Sequence, residues 1–259
     1  MLKGFLWAVI LCAGPLWLAG ETVTVKHVRG EYPLLRNITY EEAYRKALNE
    51  AKEKALREAA GEYLASTEVL QTHNEWQIFN SYTLSQSLGG ITQYKITDQG
   101  TYKSRQQESE LTVFVVIDAK VKKYDTKIDP SFTLKIDGLQ KVYGRGEKMR
   151  FSVQPYQDGY LRIFLFEDWQ HASQIFPNSF DPDNRLSAGQ PMELPQKSSF
   201  YMTKAQTGEP VETNHLVFVF TKRDIPFPSI PTYDNVNNWI NGIELSERFV
   251  AYYPIHIQD

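Results

Sequence analysis

An α+β protein is the predicted fold class: one long helix on a mostly antiparallel sheet, then an all-β, sandwich-like half with a short C-terminal helix and a terminal strand. Three observations predict it. Residues 39–60 hold a long apolar repeat of helical period. Residues 111–121 (LTVFVVIDAKV) form the densest β-type run. Beyond residue 130 the helical period gives way to short apolar runs divided by turn residues. Composition agrees with a folded chain. Of 259 residues 42% are hydrophobic and 23% charged, which excludes global disorder, and 13% are aromatic, which leans toward strands.

The first twenty residues read as an address rather than as fold. Lys3 gives a positive start, an apolar run follows from Phe5, Gly14-Pro15 breaks it, and Leu18-Ala19-Gly20 ends in small residues. This is the pattern of a secretory signal peptide cleaved near Gly20. The run is shorter than the roughly 20 apolar residues of a membrane span, and Pro15 interrupts it. Cys12 follows Leu11, where a lipidated cysteine needs a small residue before it, so it reads as part of the signal core. The mature chain then holds no cysteine, which suits an oxidising compartment.

Each element has its own local reason. Residues 22–36 are rich in valine and alternate weakly, which predicts a strand with a turn at Gly30. Thr39-Tyr40-Glu41-Glu42 is a capping box ahead of a helix. In that helix Tyr44, Ala47, Leu48, Ala51, Ala55, Leu56 and Ala59 share one face. The face is mostly alanine, so a sheet has to pack close against it. Gly61 supplies a stop. Residues 63–72 predict another strand, and 73–88 fit either a loop or a short amphipathic helix. Gly89-Gly90 predicts a turn, 91–97 a period-2 strand, and 111–121 a central strand.

The polar, proline-bearing stretch 124–130 marks a division. The expected organisation is signal peptide 1–20, an α+β domain 21–125 and a β-sandwich-like domain 126–259. In the last, strands are predicted at 132–136, 149–153, 160–166, 173–176, 192–194, 200–202 and 216–220. Pro226, Pro228 and Pro231 stiffen the connection to a short helix at 236–243 around Trp239. Residues 247–257 predict a final strand that returns to a sheet.

Two resemblances follow from these residues. The capped alanine-rich helix with Ala55, Leu56 and Ala59, then Gly61, Leu64, Ser66 and Glu68, resembles the N-terminal domain of flagellar T-ring-type envelope proteins and related outer-membrane lipoproteins, over roughly 22–123. The second half resembles the domain of unknown function family 4384, over roughly 131–222. Gly146-Glu147, Asp158-Gly159-Tyr160-Leu161, Ile175-Phe176-Pro177-Asn178 and Leu186-Ser187-Ala188-Gly189 before Leu194-Pro195 carry that likeness. The segment 167–172, with Trp169 and His171, departs from the polar, glycine-bearing turn of that family. The second resemblance implies an accessory module for binding or scaffolding beside other bacterial domains, with no agreed activity.

Chemistry is sparse along the chain. His27, His73, His171, His215 and His256 are dispersed, so no two share a helical turn, and no metal site or cofactor is expected. No G-x-S-x-G elbow exists, and Gly144-Arg145-Gly146 is too short for a phosphate loop and leads into a strand. Asp181-Pro182-Asp183-Asn184 gathers oxygen ligands but lacks EF-hand spacing, and reads as a solvated turn. Lys120, Lys122 and Lys123 read as a solvated sheet edge that discourages pairing. Asn37-Ile38-Thr39 matches a glycosylation sequon, but its threonine is the predicted cap. Tyr156 and Trp169 lie beside turns and are the candidate interaction surface.

The expected function is that of a non-enzymatic exported envelope protein, periplasmic or extracellular, acting as an assembly, adaptor or protein-interaction module. A binding module for envelope glycan is the first alternative, an uncharacterised hydrolase whose residues converge only in space the second. An envelope protein is the expected partner. The net charge of −3 argues against nucleic acid. Membrane association is expected only through a partner or through a lipidated Cys12.

Overall fold

A computed structural model describes residues 21–36, 38–60, 89–103, 111–124, 127–167, 171–201 and 211–258. Cys12 and the expected signal segment, the expected strand at 63–72, the ambiguous 73–88 and Asn37 lie outside the described residues. Strand β1 (Thr22–Pro33), helix α1 (Tyr40–Ala60), β2 (Gly90–Lys103) and β3 (Leu111–Lys122) build the N-terminal unit. The sheet is antiparallel in the order β1-β3-β2, so the densest β-type run is indeed central. The capping box forms as expected. Glu42 N donates to Thr39 Oγ1 at 3.2 Å, and Thr39 N donates back to Glu42 Oε2 at 2.7 Å. A cap of this kind is worth about 1 kcal/mol.

Alternation along β3 sorts the sheet into two faces. Val115, Ile117, Ala119 and Val121 face α1 and are buried with Ala47, Leu48, Ala51, Ala55, Leu56 and Ala59. The small alanines bring the helix backbone close to the sheet. Gly30 shows how close. It lies within β1, paired with Val115, and not in the turn the sequence suggests. A Cβ built there would sit 2.0 Å from the Ala47 carbonyl oxygen and 2.4 Å from Ala51 N. Gly30 is therefore needed for a close approach, and chain reversal is left to the segment after Pro33.

The edge placement of the lysines is likewise corrected, while Lys120 is exposed as expected. Lys120 and Lys122 stand in the central strand, flanked by β1 and β2, not on an edge. Lys122 is held at the junction with the C-terminal helix. Its Nζ lies 2.8 Å from Glu244 Oε1 and donates to the Gly242 carbonyl at 2.9 Å.

The second half contains β4 (Leu134–Asp137), β5 (Val142–Gly144), β6 (Lys148–Met149), β7 (Phe151–Pro155), β8 (Gly159–Phe166), β9 (Ala172–Phe176) and β10 (Arg185–Leu186). Then come β11 (Met192–Leu194), β12 (Phe200–Tyr201), β13 (Val211–Thr221), α2 (Tyr233–Asn241), a 3-10 turn (Leu245–Glu247) and β14 (Arg248–Gln258). The large sheet runs β10-β8-β13-β14-β5, with β9 also on β8. Against it pack β11-β7-β4 and the β12-β6 pair. The short strands β5 and β10 are not among the expected ones, and the single run expected at 149–153 divides into β6 and β7. β14 pairs antiparallel with β13 and parallel with β5, as a strand returning to a sheet.

Two apolar layers flank the large sheet. Phe132, Phe151, Leu161, Ile163, Phe218 and Phe220 fill the layer between the sheets, with Phe132 stacked on Phe220 at 4.6 Å. Phe164, Phe166, Val217, Val219 and Val250 fill the other, beneath Tyr233, Val236 and Ile240 of α2. Burial on both faces explains why β8 and β13 read as unbroken apolar runs rather than as alternations. Thr232 caps α2, accepting from Asn235 N at 3.1 Å.

The far side of α2 meets the N-terminal unit through polar contacts. Asp234 accepts from Lys52 Nζ at 2.7 Å and from the Tyr94 hydroxyl. Asn241 Nδ2 donates to the Ile91 carbonyl at 3.1 Å, and the Tyr124 hydroxyl to the Asn241 carbonyl at 3.1 Å. Gly90 makes room for this junction: a Cβ there would lie 2.4 Å from Asn241 Cβ and 2.5 Å from the Tyr124 oxygen. One helix thus closes the core of the second half and carries the contact to the first.

Candidate functional site

The face of the β1-β3-β2 sheet turned away from α1 bears the most developed side-chain array outside the cores. A bulge between Val25 and Val28 sets its register, leaving Arg29 and Glu31 on that face, opposite Val116 and Phe114. A second irregularity, between Ile96 and Asp98, brings Asp98, Gly100 and Tyr102 to the same side. His27 sits in the first bulge at φ 57°, a left-handed conformation that histidine tolerates better than most residues. Its amide donates to Asp118 Oδ1 at 2.9 Å, which holds the bulge to β3.

The array is a guanidinium layered on aromatic rings. Arg29 Cζ lies 3.9 Å from the Phe114 centroid and 5.4 Å from that of Tyr102. Such contacts are worth about 0.5–1 kcal/mol at exposed sites. Arg29 Nε donates to Glu31 Oε1 at 2.5 Å, and the Tyr102 hydroxyl to Glu31 Oε2 at 2.6 Å. The Tyr102 hydroxyl, opposed by some desolvation and joined by Arg29, holds the Glu31 carboxyl below its usual range. The same hydrogen bond raises the Tyr102 pKa. No described helix or sheet packs over these residues. The face carries a cation, an anion, the half-buried Phe114 ring and the exposed Tyr102 ring, suited to binding another surface rather than enclosing a substrate.

The residues singled out in the sequence fall elsewhere. Tyr156 directly follows β7 and is 64% exposed. Its amide donates to the Thr133 carbonyl at 3.2 Å, which fixes the backbone and leaves the side chain outward. Trp169, the other candidate surface residue, lies outside the described residues. His73 lies outside them too. His256 Nδ1 is 3.0 Å from Thr213 Oγ1 across β13 and β14. A hydroxyl–imidazole pair needs a third group to orient the imidazole before it resembles a nucleophile and its base. Among the described residues, no group of three or more His, Cys, Asp or Glu is placed to hold a metal ion.

Asp181 departs from the solvated turn expected of it. It is 2% exposed and works as an internal acceptor. Ser198 Oγ donates to it at 2.6 Å, Lys197 N at 2.8 Å and Ser198 N at 3.2 Å. Burial opposes its ionisation, but these donors outweigh burial and hold the carboxyl below the ordinary range. Its oxygens face N–H and O–H donors, a poor setting for a calcium ligand. The neighbouring Asn178 closes its turn as expected, accepting from Phe180 N and Asp181 N at 2.9 Å each.

Sequence reasoning missed the Arg29–Phe114–Tyr102–Glu31 array. The alternation of β3 contains its signal, since Phe114 and Val116 stand out of phase with the residues facing α1. The partners from β1 and β2 reach that face only through two register shifts.

Residues 142–223 match the family described as domain of unknown function (DUF4384). The match lies within the second half, from β5 to just past β13. No curated protein matches the chain. Among the described residues no helix is long and apolar enough to cross a membrane.

Proposed function

We propose that this chain is a non-enzymatic, exported envelope protein that serves as an assembly or adaptor module. Residues 21–125 and 126–259 act as its two domains, the first presenting the docking surface. The open face of β1-β3-β2 carries this reading. It combines the Arg29–Glu31 ion pair with the Phe114 and Tyr102 rings on one sheet face, a composition that favours protein recognition. The junction through α2 supports it, since polar contacts hold both halves in one orientation. The likeness of the first half to flagellar T-ring-type envelope proteins and related lipoproteins points the same way. The signal-like start supports export, with a mature N-terminus near Glu21 as part of this reading.

The test is affinity capture from an envelope extract with the mature chain and with Arg29→Glu. A partner retained by the first and lost by the second, with an unchanged melting temperature, is the expected result. Equal retention by both removes the sheet face as the docking surface. Turnover of any substrate in an ester, peptide and glycan panel overturns the non-enzymatic reading. N-terminal sequencing of the exported protein is expected to start close to Glu21; a start at a lipidated Cys12 would place the chain on a membrane instead. A glycan-binding role has one observation in its favour, the exposed Tyr156 ring. It predicts retention on envelope glycan that Tyr156→Ala abolishes.

A further inference from the structure

A cleft of about 230 Å³ opens where the chain enters the sandwich beside the start of β14. Ile128 and Phe132 line it from the entering segment, Leu245 and Val250 from the 3-10 turn and β14, and Asp129 and Arg248 bring charge. Arg248 is 5% exposed. One terminal nitrogen donates to the Ile240 carbonyl, the other to the Tyr124 hydroxyl at 2.9 Å. Both acceptors are neutral, because burial raises the Tyr124 pKa against the pull of Arg248. A guanidinium does not shed its proton. Its charge therefore persists in a place where an uncompensated ion costs several kcal/mol.

The carboxylates of this region already have cations. Asp129 Oδ2 lies 2.7 Å from Lys222 Nζ, and Glu244 Oε1 lies 2.8 Å from Lys122 Nζ. Among the described residues no carboxylate forms an ion pair with Arg248. Among the described residues, with Arg223 and Glu247 paired beside them, the cations Lys122, Lys222 and Arg248 outnumber the anions Asp129 and Glu244 by one. Arg248 and apolar side chains line the same cleft, the combination that an amphiphilic anion calls for.

We propose that this cleft binds a small monocarboxylate with an apolar body. The carboxylate is taken beside Arg248, and the body rests on Phe132, Leu245 and Val250. At about 30 Å³ per water in the liquid, the space equals seven to eight waters and admits a body of only a few carbons. Asp129 in the same cleft, held ionised by Lys222, repels a second negative charge and selects against phosphate and dicarboxylates. Two sources share this chemistry: the C-terminal residue of a peptide and a short fatty acid.

The experiment is an NMR titration of the isotope-labelled mature chain with N-acetyl-leucine, hexanoate, their two amides and inorganic phosphate. The acids are expected to shift the Arg248 side-chain and Ile128 and Val250 backbone signals, at least about tenfold more tightly than the amides. Binding of N-acetyl-leucine alone assigns a peptide C-terminus, of hexanoate alone a fatty acid, and of both the shared class. Arg248→Gln is expected to abolish binding. Because Arg248 also joins α2 to Tyr124, that variant can unfold. Ile128→Asp keeps the test sharp, since Ile128 lines the cleft, is 50% exposed, and an acid there adds repulsion at a position outside the buried core. It is expected to weaken both acids by about tenfold with the fold intact. No shift at the cleft up to about 10 mM, amides equal to acids, or acid affinity unchanged in Ile128→Asp overturns the proposal. Phosphate binding as tightly as the acids overturns its selectivity for monocarboxylates.

Discussion

Replacing Lys122 by methionine removes the ammonium that ties the central strand of the first sheet to the end of α2. Its side chain is 12% exposed and that of its partner Glu244 13%, so water screens the pair weakly. Losing one member of a buried pair costs about 3–5 kcal/mol, chiefly through the charge left behind. The hydrogen bond to the Gly242 carbonyl adds about 1.5 kcal/mol. Residual exposure of the pair reduces the sum, so Lys122→Met is expected to destabilise by about 2–4 kcal/mol. A cycle with Glu244→Gln isolates the pair, with a coupling of about 1–3 kcal/mol expected. Urea unfolding of the mature chain, followed by tryptophan fluorescence, measures both, and Trp239 in α2 reports from beside the junction. A loss below about 0.5 kcal/mol with no coupling would show that the ammonium lies in solvent. It would also return Lys122 to a solvated role within the central strand.

Three further outcomes are expected. Gly30→Ala drives a methyl into the backbone of α1 and is expected to cost at least about 1–3 kcal/mol in urea unfolding; a neutral effect would mean the helix does not lie on β1 as described. Leu48→Asp places a charge in the layer between α1 and the sheet and is expected to cost about 3 kcal/mol or more, and an unchanged melting temperature would reassign the helix face. Asp181→Asn is expected to flatten the acid limb of the stability curve. The folded pKa of Asp181 lies below its unfolded value, so its contribution is complete above the ordinary carboxylate range. That contribution is lost as pH falls through the folded value, and equal acid slopes in the variant and the parent would refute the buried acceptor role.

Local chemistry was enough for the elements that answer to neighbours in the chain. The Thr39–Glu42 box caps α1 through contacts three residues apart, and the alanine face follows from the helical period. The density of 111–121 placed β3 at the centre, because a strand flanked on both sides needs apolar residues that tolerate burial. Asn178 and the turn it closes were legible for the same reason. Tertiary structure alone decided what depends on distant partners. Gly30 has the composition of a turn, and only the arrival of α1 turns it into a contact point. Lys122 looks like a solvated edge until Glu244, 122 residues away, supplies its counter-charge. Asp181 looks solvated until Lys197 and Ser198 cover it. The Arg29–Phe114–Tyr102–Glu31 array and the Arg248 cleft join three or more separate segments, with two register shifts deciding which residues face out. A sequence states which side chains are present and their local spacing. Whether a charge meets its partner is an energy of the folded arrangement, set by elements far apart in the chain.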